Sequence, residues 1–219
     1  MTAIAVCTNF FNGFRYAVAG YMFEYCLHGN VTIEGLIINY TVFMAFGEVT
    51  CMIFGGLSSV FTKTVGSKRM AFFWSALLCL VLSIAFFFIP MSPDYIWVMI
   101  ALVILTSIGI GIYSPLMWSM YADVADYHTE HFGASATGLI FSSGTMSQKF
   151  GTAISGSLIA LFLGWAGANM ITDKMGNTVI DPTSITDSVL MMVWSLFSLF
   201  PAVIAFLLMV LSYKFPIKK

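Results

Sequence analysis

One cation stands among small polar residues at helical spacing. Positions 138, 142, 145, 149, 152 and 156 are Gly, Ser, Thr, Lys, Thr and Gly. Steps of three and four place them on one face of a helix. A small, polar face around one long cation suits a water-filled cavity, in which Lys149 meets a hydroxylated ligand or a neighbouring carboxylate. The competing reading is structural: small residues at this spacing let helices pack closely, and a lysine can snorkel to an interface. Two more charges fall deep in apolar stretches, Arg15 and Glu48. A charge inside a membrane span costs roughly 2.5–3.5 kcal/mol on insertion scales, so each is a functional candidate. Arg15 shares a face with Thr8, Asn12 and Ala19, a polar stripe that points inward to an ionic partner or to a ligand. Glu48, beside Gly47, is placed to carry a proton or to neutralise Arg15 or Lys149. Glu24 lies near the end of its stretch, within reach of the interface.

The densest polar stretch runs from Tyr121 to His131 and holds Asp123, Asp126, His128, Glu130 and His131. Asp123 and Asp126, three apart, can share a helix face. The stretch reads as a solvated loop or an anchor between helices, and a metal site is not expected from it. No Ser-His-Asp, Walker-type or HExxH pattern is present, so the chain is not expected to be an enzyme. Gly109, Gly111, Pro115 and Pro201 interrupt apolar runs, as hinges or as static kinks.

The elements that must carry these residues follow from composition. Of 219 residues, 59% are hydrophobic and 9% charged, against about 25% charged in soluble domains. A soluble globular domain and a disordered chain are both excluded. A span takes roughly 20 apolar residues, and six stretches qualify, at about 3–27, 35–61, 70–90, 95–120, 137–168 and 187–213. The reading is an all-α, six-helix membrane bundle forming a single domain. The net charge of −1 carries no basic patch for nucleic acid. Cys7, Cys26, Cys51 and Cys79 sit in or beside apolar runs without metal-type spacing and read as packing residues.

Loop cations set the expected orientation. Lys63, Lys68 and Arg69 lie between the second and third stretches, and Lys214, Lys218 and Lys219 follow the sixth. The fifth loop has only Lys174, beside aspartates. The positive-inside rule then places the C-terminus in the cytoplasm and the N-terminus outside. An outside N-terminus without a leader is the pattern of the second half of a twelve-helix transporter, whose site lies between two halves.

Three segments carry a family resemblance. Tyr121-Ala122-Asp123-Val124-Ala125-Asp126-Tyr127, then Ala136-Thr137-Gly138-Leu139-Ile140-Phe141-Ser142, then Gln148-Lys149-Phe150-Gly151 resemble the glycoside–pentoside–hexuronide:cation symporters, the melibiose permease-like branch of the major facilitator superfamily. Arg15 followed by Tyr21-Met22-Phe23-Glu24-Tyr25 is similar to that family's aromatic-rich seventh helix. The resemblance covers the C-terminal half of the family's fold. It implies cation-coupled sugar uptake by alternating access in a bacterial inner membrane, with an N-terminal six-helix half as partner. It implies that Lys149 lies at the sugar and cation cavity, with Gly144, Thr145 and Gln148 near the sugar. It implies that Asp123 and Asp126 belong to a cytoplasmic charge network at the inner gate, and that Na+ or H+ coupling rests mainly on carboxylates of the other half. One departure stands out. Between Tyr127 and Gly138 the family's Trp and basic residues are missing, so the inner-gate network is expected either to be weaker or to be closed by His128 and His131, which bears on the gating role of Asp123 and Asp126. The alternative to a transporter half is a non-transporting remnant or an interaction subunit in the membrane.

Overall fold

The helices begin and end on local signals. Asn39 opens the second helix, its side-chain oxygen accepting from the Val42 N–H at 2.9 Å, and Gly66 closes it in the left-handed region at φ 82°. Thr186 caps the sixth helix through the Val189 N–H. Such caps satisfy backbone groups that have no partner inside the helix. A computed structural model describes residues 1–33, 36–133, 135–172 and 178–215. Lys174, Lys218, Lys219 and Ala134 lie outside the described residues.

The helices are α1 (Thr2–Tyr21), α2 (Tyr40–Val65), α3 (Lys68–Phe87), α4 (Ile96–Phe132), α5 (Thr137–Trp165), α6 (Asp187–Phe197) and α7 (Leu199–Tyr213). Two short antiparallel hairpins join them, β1 (Val31–Ile33) with β2 (Leu36–Ile38), and β3 (Met170–Thr172) with β4 (Thr178–Ile180). α1 packs on α5 and α7, α2 on α4, and α3 on α4 and α7. An aromatic layer fills the centre of one end: Phe86 lies 4.8 Å from Phe197 and 5.4 Å from Trp194, and the Trp194 indole donates to the Phe87 carbonyl at 3.3 Å.

Four segments are long and apolar enough to cross a membrane: α2, α3, Pro93–Phe132 and Asp187–Tyr213. α1 and α5 were expected to be spans as well, yet neither is among these four. The physical reason is their polar content. α1 carries Thr8, Asn9, Asn12 and Arg15, and α5 is built largely of Gly, Ser and Thr around Lys149. These two helices pack on one another.

Two element boundaries differ from the sequence reading. The fourth helix does not stop near 120. It continues through the polar stretch to Phe132, because Tyr121, Asp123 and Ala125 turn into the bundle while Asp126 and Tyr127 face out. Its 37 residues give a length of about 55 Å, well beyond a hydrocarbon core of about 30 Å. The sixth stretch is not one helix but two. The break falls at Ser198, three residues before Pro201, whose ring collides with a carbonyl one turn back. The first helix ends in a π-helical turn, Met22–Cys26, in which Leu27 N–H reaches the Met22 carbonyl at 3.1 Å.

Gly111 marks a close approach of backbones rather than a hinge, and Pro115 sits inside α4 without ending it. A Cβ at Gly111 would lie 2.6 Å from the Cys51 carbonyl oxygen and 3.1 Å from its Cα. Small residues at such contacts are how membrane helices gain packing. Gly111→Ala is expected to destabilise the bundle by about 1–3 kcal/mol through overpacking. Gly56→Ala, where a Cβ meets nothing within 4 Å, is the matched control. Thermal unfolding in detergent, followed by labelling of the buried thiols of Cys26 and Cys79, reads both. An unchanged midpoint for Gly111→Ala would contradict the close contact.

Candidate functional site

α5 carries two stripes of small residues, and packing separates them. Gly144, Ser147, Gly151, Ser155, Ile159 and Leu163 are buried, and a Cβ at Gly151 would lie 2.7 Å from the Val6 carbonyl of α1. The other stripe, residues 138, 142, 145, 149, 152 and 156, is exposed along its whole length. Lys149 and Thr145 therefore face away from the bundle, and Gln148 is half-buried at the edge. The hydroxyls of Thr145 and Thr152 donate to the carbonyls of Ser142 (2.9 Å) and Lys149 (3.0 Å), so each presents its oxygen lone pairs outward. Gly144 lies apart from them. It faces inward, where a Cβ would come within 3.2 Å of Trp118 and Tyr121.

Arg15 is 6% exposed on the inner face of α1, with Thr8 and Ala19 buried beside it. Its guanidinium sits 5.9 Å from the centroid of the Phe11 ring. Glu48 is exposed and takes a hydrogen bond from the Tyr16 hydroxyl. Among the described residues Arg15 and Glu48 do not meet as an ion pair.

The aspartates divide. Both Asp123 oxygens accept from Lys68 Nζ at 2.8 Å, with the two side chains 13% and 28% exposed. The expectation that His128 and His131 replace missing basic partners does not hold for Asp123, which pairs with Lys68. The partner is the first residue of α3, not a residue of the segment after Tyr127. Asp126 is exposed. His131 stacks on Tyr127 at 3.9 Å with Nδ1 3.0 Å from the Tyr127 carbonyl oxygen, and His128 lies against Phe132. Lys68 and Arg69 stand at a helix N-terminus, where cations are disfavoured. Their placement is offset by Asp123 and by the C-terminal end of α7, where Arg69 Nη1 donates to the Tyr213 carbonyl at 3.4 Å.

The sequence reading missed a cleft of about 850 Å³ at the far end of α1. Its walls include Tyr16, Tyr21, Glu24, Tyr25, Tyr40 and Ile180. The π turn carries Glu24 and Tyr25, and π turns recur at functional sites. Tyr25 stacks on Tyr21 at 6.2 Å. Its hydroxyl accepts from the Ile180 N–H at 3.0 Å and reaches the Ile180 carbonyl at 3.4 Å, clamping β4 to the helix. Next to β4, Asp181 accepts from the Thr183 N–H (2.9 Å) and hydroxyl (2.8 Å), which holds its carboxyl below the usual carboxylate range. The available signal was the run of Tyr16, Tyr21 and Tyr25 around Glu24. Its other wall is 155 residues away and invisible to periodicity.

A family model described as MFS/sugar transport protein matches residues 2–219. The chain belongs to that family. The chain is 32% identical over 127 residues to the putative glycoside/cation symporter YagG of Escherichia coli K12, covering 57% of this chain and 26% of YagG. It is 30% identical over 130 residues to the inner membrane symporter YicJ of the same strain, covering 58% of this chain and 27% of YicJ. An uncharacterized 29.9 kDa protein of Pseudescherichia vulneris is 39% identical over 101 residues, or 46% of this chain and 36% of its own length. The matched regions thus span about a quarter to a third of these curated relatives. The fold matches the inward-open xylose transporter XylE from E. coli with a TM-score of 0.66 and 19% identity, over 99% of this chain and 48% of that one. The chain is an integral membrane protein of a transport family, with a major facilitator fold.

Proposed function

We propose that this chain supplies the C-terminal helix bundle of a sugar:cation symporter, working by alternating access against a separate N-terminal six-helix bundle. The observation that carries the reading is the exposed stripe of α5, where Lys149 stands among Thr and Ser hydroxyls on a face that the bundle leaves uncovered. A cation held in that stripe is costly against lipid and favourable against a wet cavity shared with a second bundle. In this reading all six helical units cross the bilayer, α6 and α7 together as one. Lys149, Thr145 and Gln148 face the sugar, and Gly144 seats α5 against Trp118 and Tyr121. Arg15 and Glu48 set the charge of the inner wall. The coupling cation, Na+ or H+, binds mainly on carboxylates of the other bundle. Lys63, Lys68, Arg69 and Lys214 mark the cytoplasmic side, so that the N-terminus lies outside. The Lys68–Asp123 bridge then belongs to the inner gate, with Asp126 beside it. The inner-membrane location of YicJ and the glycoside/cation coupling named for YagG support the assignment.

The test is complementation. This chain and an N-terminal six-helix half of a glycoside symporter, expressed together in a transport-deficient bacterium, are expected to restore cation-dependent glycoside uptake that neither gives alone. Co-purification without uptake of any glycoside, pentoside or hexuronide would favour a non-transporting interaction subunit.

A further inference from the structure

The corner where α3 begins and α7 ends carries Lys68, Arg69 and Lys214. Asp123 neutralises Lys68, whereas Arg69 and Lys214 have no ion-pair partner among the described residues. The Arg69 guanidinium is anchored on one side. Its Nη1 donates to the Tyr213 carbonyl at 3.4 Å, and its carbon lies 5.9 Å from the centroid of the Tyr213 ring. Its Nε is buried without a hydrogen-bond acceptor, and a buried donor left over is costly unless a further group takes it. Ser67 precedes α3 without capping it through its side chain, so the first N–H groups of that helix also stay available. Lys214 follows Tyr213 and is exposed. An apolar lane starts at the same corner. Phe73 lies 6.0 Å from Tyr213 and 5.7 Å from Trp74, a relay of rings that leads from Arg69 onto the outer face of α3. Trp74, Val81, Ile84 and Phe88 are exposed there, at steps of seven, three and four that keep them on one face. Ala71, Phe72, Ser75, Ala76 and Cys79 turn the other way, into the bundle. Such a lane faces acyl chains in a membrane protein, and Trp and Tyr rings gather at headgroup level. A ligand that uses both the cations and the lane carries negative charge at one end and hydrocarbon along its length.

We propose that Arg69 and Lys214 hold the phosphodiester of an anionic phospholipid whose acyl chains lie along α3. The guanidinium fork suits two phosphate oxygens, and the ammonium adds a point charge. A phosphatidylglycerol headgroup fits, with one uncompensated negative charge. A phosphatidylcholine headgroup is disfavoured, because its own ammonium offsets the phosphate and would stand beside two cations. The site rests on the membrane location of the chain and not on the sugar reading, and it lies on other helices than the Lys149 stripe.

The test is quenching of tryptophan fluorescence by brominated lipids, on the full chain in phosphatidylcholine vesicles. A minor fraction of the lipid is replaced by either dibrominated phosphatidylglycerol or dibrominated phosphatidylcholine. The Trp74 signal is the difference between the chain and its Trp74→Phe variant. Phosphatidylglycerol is expected to half-quench Trp74 at about 5–30-fold lower content than phosphatidylcholine, the factor given by one to two cations near a membrane surface. Arg69→Gln and Lys214→Gln are each expected to remove most of that preference. Arg69→Lys, which keeps the charge and loses the fork, is expected to fall between. Lys63→Gln removes an exposed cation of α2 and is expected to leave the preference unchanged. Equal quenching by the two lipids in the unsubstituted chain would overturn the proposal, and that comparison needs no variant to fold. An equal fall for Lys63→Gln would overturn it as well, since charge spread over that end of the bundle would then be the cause. Loss of the preference on adding millimolar inorganic phosphate, at an ionic strength matched with chloride, would assign the corner to a free anion and not to a lipid.

Discussion

Asp123→Asn is expected to lower the thermal stability of the bundle by about 1–3 kcal/mol and to loosen the ends of α3, α4 and α7 together. The bridge to Lys68 is bidentate and only partly exposed, so it lies between the surface pairs worth about 0–1 kcal/mol and the buried pairs whose breaking costs about 3–5 kcal/mol. Removal leaves Lys68 at the N-terminus of α3, a position already unfavourable for a cation. Lys68→Asp alone is expected to be worse than Asp123→Asn, because two carboxylates then share one niche. The exchange of both, Lys68→Asp with Asp123→Lys, is expected to recover most of the loss. Thiol-labelling melts of the four proteins in detergent measure this. Additive losses in the double variant would show that the pair is not coupled. In the complemented transporter, the single variants are also expected to shift the balance of conformations. That shift is read as a change in uptake rate larger than the change in protein level.

Lys149→Ala is expected to cut glycoside uptake by about 10–100-fold in the complemented transporter, the loss of one charge-assisted hydrogen bond worth about 1.5–3 kcal/mol. Lys149→Arg keeps the charge but changes the donor geometry, and is expected to retain part of the rate. Neither substitution is expected to shift the melting midpoint much, since the side chain is exposed and makes no ion pair among the described residues. This separates the functional reading from the structural one. A lysine that merely snorkels would leave uptake intact when replaced by alanine. Wild-type uptake by Lys149→Ala would therefore remove it from the sugar site.

Much of the architecture was legible in the chain itself. Apolar stretches, small-residue steps and cap residues are local signals, and local signals fix helices. The boundary error in the fourth helix has a tertiary cause, since its end depends on what the element touches. The polar run from Tyr121 to His131 reads as a loop by composition. It is helical because one of its faces meets the bundle and Asp123 finds Lys68, 55 residues earlier in the chain. The break at Ser198 is different, since Pro201 announced it. Neither α1 nor α5 is among the four segments apolar enough to cross a membrane by composition. The residues that make them candidate cavity walls are the ones that lower their hydropathy.

By itself the sequence determined the class, an apolar helical membrane protein, and the grouping of residues on each helix, because a period of 3.6 follows from backbone geometry alone. It put Lys149 on one face with Ser142, Thr145 and Thr152. It could not say which way that face looks. The stripe 144, 147, 151, 155 is just as small and polar. Only packing decides between them: the backbone of α1 at Val6 presses on Gly151, a contact that a side chain there would block. The same holds for the aromatic cleft and the Lys68–Asp123 bridge. Their members lie far apart in the chain, and only the tertiary fold brings them within hydrogen-bond distance.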